Sequence, residues 1–125
     1  MIGLTLDAGA LIAIERNDRS MLALLVRTRA AKQPIAIPAG ALAQVWRDGA
    51  RQTRLATLLS DDRVQVVALD ARASREAGQL CGLTATADVI DASVVLCARR
   101  RQHTVATSDP DDLRRLDPRI ELIVV

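Results

Sequence analysis

The hydrophobic pattern of the chain consists of short apolar runs separated by longer segments of helical character. The apolar runs, rich in aliphatic and β-branched residues, cover 2–6, 34–38, 63–69, 103–107 and 120–125. Most lack the strict apolar–polar alternation of a strand with one solvent-exposed face, which indicates strands that are buried on both faces. Because these strands alternate with helical segments, the pattern predicts an α/β fold with a mainly parallel central sheet.

The segments between the apolar runs predict a series of helices. They cover 8–16, 19–32, 39–47, 50–59, 70–82, 86–100 and 110–116. Gly49 marks a break between two of them, and Gly82 is placed like the glycine that follows a helix end. The chain shows no internal repeat, linker or low-complexity segment, and 125 residues suit one compact core. We expect a single domain over residues 1–125.

Two aspartates interrupt the most apolar helical segment. Residues 85–98 contain ten apolar residues among fourteen, and their only charges are Asp88 and Asp91. A spacing of three puts both side chains on one face of a helix. An unpaired carboxylate buried in such surroundings costs several kcal/mol, so it must be protonated, paired with a cation or bound to a metal.

Two further aspartates each follow a predicted strand. Asp7 comes directly after the run 2–6, and Asp109 follows the run 103–107. Each has a simpler explanation as a helix N-cap, and Pro110 strengthens that explanation for Asp109. Asp88 similarly fits the start of its own helix. Aspartates that only cap separate helices need not lie close together in space. Here all four are expected beyond the carboxyl ends of the strands, which is where parallel sheets bind ligands.

A set of aspartate oxygens suits a hard divalent cation, Mg²⁺ or Mn²⁺, that also accepts phosphate oxygens. Zinc would favour His or Cys ligands. His103 stands alone and is interpreted as a strand-start or surface residue, while Cys81 and Cys97 lack metal-site spacing and are interpreted as buried thiols. A divalent ion acidifies bound water and polarises phosphoryl oxygens, which are the two requirements of phosphodiester hydrolysis.

Four segments together resemble a PIN domain, specifically a VapC-type toxin of a type II toxin–antitoxin pair. They are "LDAGALIA", "AGALAQVWRDG", "ADVIDASVVLCA" and "VATSDPDDL", and the resemblance covers essentially the whole chain. It implies a three-layer α/β/α sandwich with a mainly parallel sheet and an endoribonuclease that depends on Mg²⁺ or Mn²⁺. It also implies frequent homodimerisation and inhibition by a cognate antitoxin protein.

Carried over by position, the resemblance assigns metal-binding and catalytic roles to Asp7, Asp91 and Asp109. Asp88 matches an additional acid found one turn earlier in some members. Gln44 departs from the family, because the commonest pattern has Glu there. Its amide oxygen could still contact the ion or a bound water. The alternative is a PIN fold with weakened or lost activity that binds an antitoxin or RNA without cutting.

Several neighbouring side chains are candidates for orienting water or substrate. Thr107 and Ser108 directly precede Asp109, and their simpler interpretation is as hydroxyl groups at the end of a strand. Arg47 is a candidate phosphate contact. Trp46 is interpreted as a packing residue. As the only aromatic residue it provides no stacking platform for single-stranded RNA, so backbone and shape contacts would have to dominate.

The charge balance tolerates a polyanionic partner without requiring one. Sixteen of the seventeen basic residues are Arg, and the formal net charge is only +2. If four of the fifteen acidic residues are sequestered at one site, the remaining surface is distinctly basic. Phosphate contacts are candidates in two groups, Arg99–Arg101 and Arg47, Arg51 and Arg54, although solvated faces explain such runs equally well.

Other classes of protein fit the sequence less well. No apolar stretch reaches the ~20 residues of a membrane span. The N-terminus lacks the basic region and cleavage site of a secretory signal, which predicts a cytoplasmic protein. An aspartyl-nucleophile phosphatase would need a second Asp where Gly9 stands. A receiver-like domain would need a Lys on a late strand, and the only one is Lys32.

Overall fold

Five parallel strands form one sheet in residues 2–125, the part of the chain that the computed structural model describes. The strands are β1 (Leu4–Leu6), β2 (Ile35–Pro38), β3 (Val64–Val67), β4 (Thr104–Thr107) and β5 (Leu122–Val124). The helices are α1 (Ala8–Glu15), α2 (Arg19–Ala30), α3 (Ala39–Val45), α4 (Thr53–Leu59), α5 (Ala71–Thr84), α6 (Val89–Arg101) and α7 (Pro110–Leu116). The predicted α/β class is confirmed, and the sheet is parallel throughout.

The strand order β3-β2-β1-β4-β5 places a switch point between β1 and β4. From β1 the chain winds outward to β2 and β3, then returns across the sheet to β4 and β5. Because crossovers between parallel strands are right-handed, α1 to α4 and α5 to α7 belong to opposite faces. In open parallel sheets, the crevice at such a switch point is where ligands bind.

The core is aliphatic, and its centre is β1 between α1 and α6. All three residues of β1 are buried, and α6 packs on β1, β2 and β4. The small buried residues Ala92 and Ala98 let α6 lie close to the sheet, and Val94 and Val95 fill the space between them. Trp46 packs against this core from its edge, as the sequence predicts.

Two predicted helix ends are wrong. Helix α5 does not end before Gly82 but continues to Thr84, and Ala85 takes the left-handed conformation at its end, with a φ of 54°. Helix α6 begins at Val89, so Asp88 is its N-cap and does not lie within the helix beside Asp91. The surface interpretation of His103 is also wrong, because its side chain is buried directly before β4.

No helix within residues 2–125 is long and apolar enough to cross a bilayer by itself. Only α5 and α6 taken together reach the necessary length and hydropathy, and they are bent by 106° relative to each other.

Candidate active site at the carboxyl edge of the sheet

Asp7 occupies the carboxyl end of β1, at the switch point of the sheet. Its side chain is only 6% exposed, and its Oδ1 accepts a hydrogen bond of 2.8 Å from the backbone N–H of Ala10. Burial raises the pKa of this carboxyl, although hydrogen bonds from Thr107, Ala10 and Gly9 act in the opposite direction. Asp7 therefore caps α1, as the simpler explanation holds, and it is also a buried acid beside the end of β4.

Asp88 and Asp91 lie together at the start of α6. The Asp88 carboxylate accepts a 2.9 Å hydrogen bond from the backbone N–H of Asp91. Burial, the largest cause, and the nearby charges of Asp88, Asp7 and Asp112 together raise the pKa of Asp91 to about 7. The carboxylates therefore lie within electrostatic reach of each other. Negative charge at Asp91 is costly unless a cation compensates for it.

Asp109 stands at the N-cap position of α7 but makes no capping hydrogen bond with its side chain. It is exposed, and a hydrogen bond with Asp112, with some burial and the charges of Asp112 and Asp111, raises its pKa. The α7 carboxylate whose charge acts on Asp91 is Asp112. The residue of α7 that acts on Asp91 is therefore Asp112 and not the predicted Asp109.

A cavity of about 380 Å³ connects these elements. Its walls include Asp88 and Asp91 from the start of α6, and Asp112 and Arg115 from α7. Asp112 could have been found by spacing, because it lies three residues after Asp109 and so on the adjacent turn of a helix. In the sequence, however, Asp112 is already explained as an acidic residue in the first turn of a helix that begins at Pro110.

Thr107 and Ser108 fix the relation between the ends of β4 and β1. Thr107 is fully buried, and its Oγ1 accepts a 2.9 Å hydrogen bond from the backbone N–H of Asp109. Ser108 lies so close to α1 that a Cβ added at Gly9 would be 2.1 Å from the Ser108 Oγ. Only glycine at position 9 permits this approach of the β4–α7 loop.

Gln44 and Arg47 lie outside the direct contacts of the acidic cluster. Gln44 is exposed on α3, a helix that packs on both α1 and α6. Arg47 lies beyond α3, which ends at Val45 and not at the predicted residue 47, and its side chain donates hydrogen bonds to the carbonyl groups of Trp46 and Ala43. The predicted roles of both residues toward substrate remain predictions.

The donor chemistry of the cluster fits a hard divalent cation. Asp7, Asp88, Asp91 and Asp112 offer carboxylate oxygens, the ligands that Mg²⁺ and Mn²⁺ prefer. The mutual repulsion that raises the pKa of Asp91 is a cost that such an ion would offset. Among residues 2–125, however, no three His, Cys, Asp or Glu side chains converge closely enough to form a ready ligand set. Side-chain rotation would have to complete the site.

Most arginines singled out in the sequence already have partners. Arg99 forms an ion pair of 3.1 Å with Asp117, and Arg100 pairs with Glu76. Arg101 donates to the Cys97 sulfur, and Arg51 lies 3.8 Å from Asp48. Both cysteines are free and buried, as predicted. The run Arg99–Arg101 is therefore largely engaged within the protein.

No protein-family model matches the sequence, and a search of curated proteins finds no match. Solved structures do resemble it. A chain of VapBC2 from Rickettsia felis, crystallised with a DNA fragment from their promoter, superposes with a TM-score of 0.72 at 19% identity, over 98% of both chains. A chain of FitAB bound to an IR36 DNA fragment gives 0.65 at 15% identity, over 97% of this chain and 94% of that one. A chain of FitAcB from Neisseria gonorrhoeae gives 0.63 at 15% identity, over 96% of each.

These likenesses extend over almost the whole chain, and at such low identities they establish its fold. They agree with the α/β architecture built on a five-stranded parallel sheet. The chain has the PIN-like α/β fold that the sequence predicts, shared with structures of VapBC2 and FitAB.

Proposed function

We propose that this protein is an endoribonuclease that depends on Mg²⁺ or Mn²⁺ and acts as the toxin of a type II toxin–antitoxin pair. The observation that carries the proposal is the gathering of Asp88, Asp91 and Asp112 around one cavity, with the charge of the buried Asp7 also acting on Asp91. Carboxylates gathered at the switch point of a parallel sheet are costly to the fold, and a bound cation offsets that cost.

Asp7 and Asp91 are the residues proposed to hold the ion, with Asp88 and Asp112 beside them. When bound, the ion would supply charge stabilisation for a phosphodiester and acidify a water. Asp7 is held in place by its hydrogen bonds to Ala10 and Thr107. Asp109, which is exposed at the N-cap position of α7, is available to accept a proton from an attacking water or to contact the ion.

RNA is the proposed substrate because the site combines acids for a cation with an arginine-rich exterior. The proposed partners are a cognate antitoxin protein and a second copy of the chain. The shared fold with chains of the VapBC2 and FitAB complexes supports the proposed antitoxin partner. A cytoplasmic location is part of the same proposal.

A second candidate function is a PIN-fold module that binds RNA or an antitoxin without cleavage. Two observations favour it. Gln44 contributes no charge where an acid is expected, and no complete ligand set is formed by the side chains of residues 2–125. Under this alternative the carboxylates would serve as helix caps, as Asp7 and Asp88 do.

Incubation of purified, antitoxin-free protein with total RNA and Mn²⁺ separates the two candidates. We expect cleavage by the wild type, and none by Asp7→Asn or Asp91→Asn. The matched control is Asp70→Asn. Asp70 caps α5 by accepting a hydrogen bond of the same 2.8 Å from a backbone N–H, but it does not line the cavity of the acidic cluster. Binding of RNA without cleavage under every divalent ion would favour the module.

A further inference from the structure

The acidic cavity contains one cation, Arg115. This residue lies in the last turn of α7, and its side chain lines the same 380 Å³ cavity as Asp88 and Asp91. Its Nη1 is 3.6 Å from the Asp112 Oδ1. Asp112 is also the α7 carboxylate whose charge acts on Asp91. Arg115 is therefore connected to the acidic cluster through one shared carboxylate.

Arg115 supplies positive charge at a cavity whose carboxylates would otherwise repel a polyanionic substrate. Asp88, Asp91 and Asp112 in its walls repel a polyanion, and Arg115 is the one basic residue among the described residues that line it. A guanidinium group binds a phosphate through two parallel hydrogen bonds. The Arg115 side chain is 71% exposed, so an incoming nucleic acid strand can reach it.

The pairing with Asp112 leaves Arg115 available. An exposed ion pair at this separation contributes little to stability, so its guanidinium can change partner at small cost. Arg99 and Arg100 are less free, since they are paired with Asp117 and Glu76. If Asp112 turns toward a bound cation, its hold on Arg115 weakens at the same time.

We propose that Arg115 binds an RNA phosphate at the rim of the acidic cavity, in exchange for its weak pairing with Asp112. The inference rests on the proposed function in one respect, that the substrate is RNA. It assigns a substrate contact to a residue that neither the sequence motifs nor the acidic cluster includes. It also predicts that a cation and RNA favour each other's binding. A cation that engages Asp112 frees Arg115, and a phosphate that engages Arg115 frees Asp112.

The test measures binding of a short fluorescein-labelled single-stranded RNA of mixed sequence by anisotropy in Ca²⁺ buffer, over a series of KCl concentrations. We expect Arg115→Gln to weaken binding several-fold and to reduce the slope of log K against log[salt] by about 0.7, the loss of one phosphate contact on a single strand. Arg115→Lys should preserve most of the slope but not the full affinity, because Lys lacks the paired geometry.

Arg114→Gln is the matched control. Arg114 precedes Arg115 on the same helix turn, is exposed, and lies outside the cavity lining. Its removal should change the slope less than the removal of Arg115, while thermal unfolding verifies that both variants fold. Equal slopes for the wild type, Arg115→Gln and Arg114→Gln would overturn the proposal, even if Mn²⁺-dependent cleavage by the wild type is observed. An Arg115-dependent slope without cleavage would support the contact and count against the nuclease.

Discussion

The hydroxyl of Thr107 joins the buried carboxylate of Asp7 to the backbone of the β4–α7 loop. It hydrogen-bonds the Asp7 side chain, and it accepts the backbone N–H of Asp109 at 2.9 Å. A single hydroxyl thus ties the carboxyl ends of β1 and β4 together at the switch point. Thr107 was predicted from the sequence as a residue that orients water or an acid, and the structure gives it the acid as a neighbour.

Thr107→Val should weaken metal binding more than it alters the fold. Valine replaces the hydroxyl with a methyl group of similar size, so Asp7 loses a donor that stabilises its charged form, and its pKa rises further. We expect lower Mn²⁺ affinity in calorimetric titration and a stability loss of about 1–3 kcal/mol. Thr107→Ser keeps the hydroxyl and should behave like the wild type. Equal Mn²⁺ affinity for Val and Ser variants would show that the hydrogen bond does not matter to the site.

The contribution of Asp91 to the stability of the metal-free protein should fall as the pH rises from about 4 to about 7. The pKa of Asp91 lies at about 7 in the folded chain, above its usual value of 3.8, so the folded state holds the extra proton in this window. Each step upward in pH therefore favours the unfolded chain at this residue. Thermal unfolding in EDTA should show the decline for the wild type and a flatter profile for Asp91→Asn. A parallel profile for the two proteins would argue against charge repulsion at Asp91.

His103 should produce the opposite dependence at lower pH. Burial lowers the pKa of this imidazole, with a further contribution from Arg101, and its Nδ1 lies 3.0 Å from the Thr5 hydroxyl. Because the unfolded chain takes up the proton first, stability should fall as the pH drops below about 6.5. His103→Asn should remove this sensitivity. An acid-side unfolding profile that His103→Asn leaves unchanged would place the titrating group elsewhere.

Gln44→Glu should tighten Mn²⁺ binding if α3 contributes to the ion's surroundings. Helix α3 packs on α1 and α6, the helices that Asp7 and Asp88 cap, and a Cβ at Gly40 would meet the Ile90 side chain at 2.6 Å. Position 44 lies one helical turn after Gly40 on α3, so the titration tests whether its side chain reaches the ion. Gln52→Glu is a poor comparison, because the Gln52 side chain hydrogen-bonds the backbone of residues 45, 47 and 48. Unchanged Mn²⁺ titration would place Gln44 outside the site.

The alternation of elements was readable from the sequence because each strand is a compact apolar run. In β1, β2 and β4 every residue is buried, and this double-sided burial leaves a continuous hydrophobic signal. Helix ends were less readable. Gly82 suggested a terminus, but the helix continues past it and the residue that adopts the left-handed conformation is Ala85.

The acidic site was only partly readable. Asp7 and Asp91 were identified because a charge inside an apolar segment is costly and needs an explanation. Asp112 was missed because Pro110 and its acidic neighbours already explain a helix start, so position in three dimensions was needed to connect it with Asp91. Arg115 was missed for a related reason. Nothing in a sequence rich in arginine distinguishes the one that lines the cavity.

Calorimetric Mn²⁺ titration of the wild type, Asp91→Asn and Asp70→Asn near neutral pH tests the central claim most directly, that the carboxylates around Asp91 share a cation. The account predicts binding to the wild type and to Asp70→Asn with the same affinity, and a loss of more than about tenfold for Asp91→Asn. Equal Mn²⁺ affinity in all three proteins, or no binding to the wild type, would contradict it.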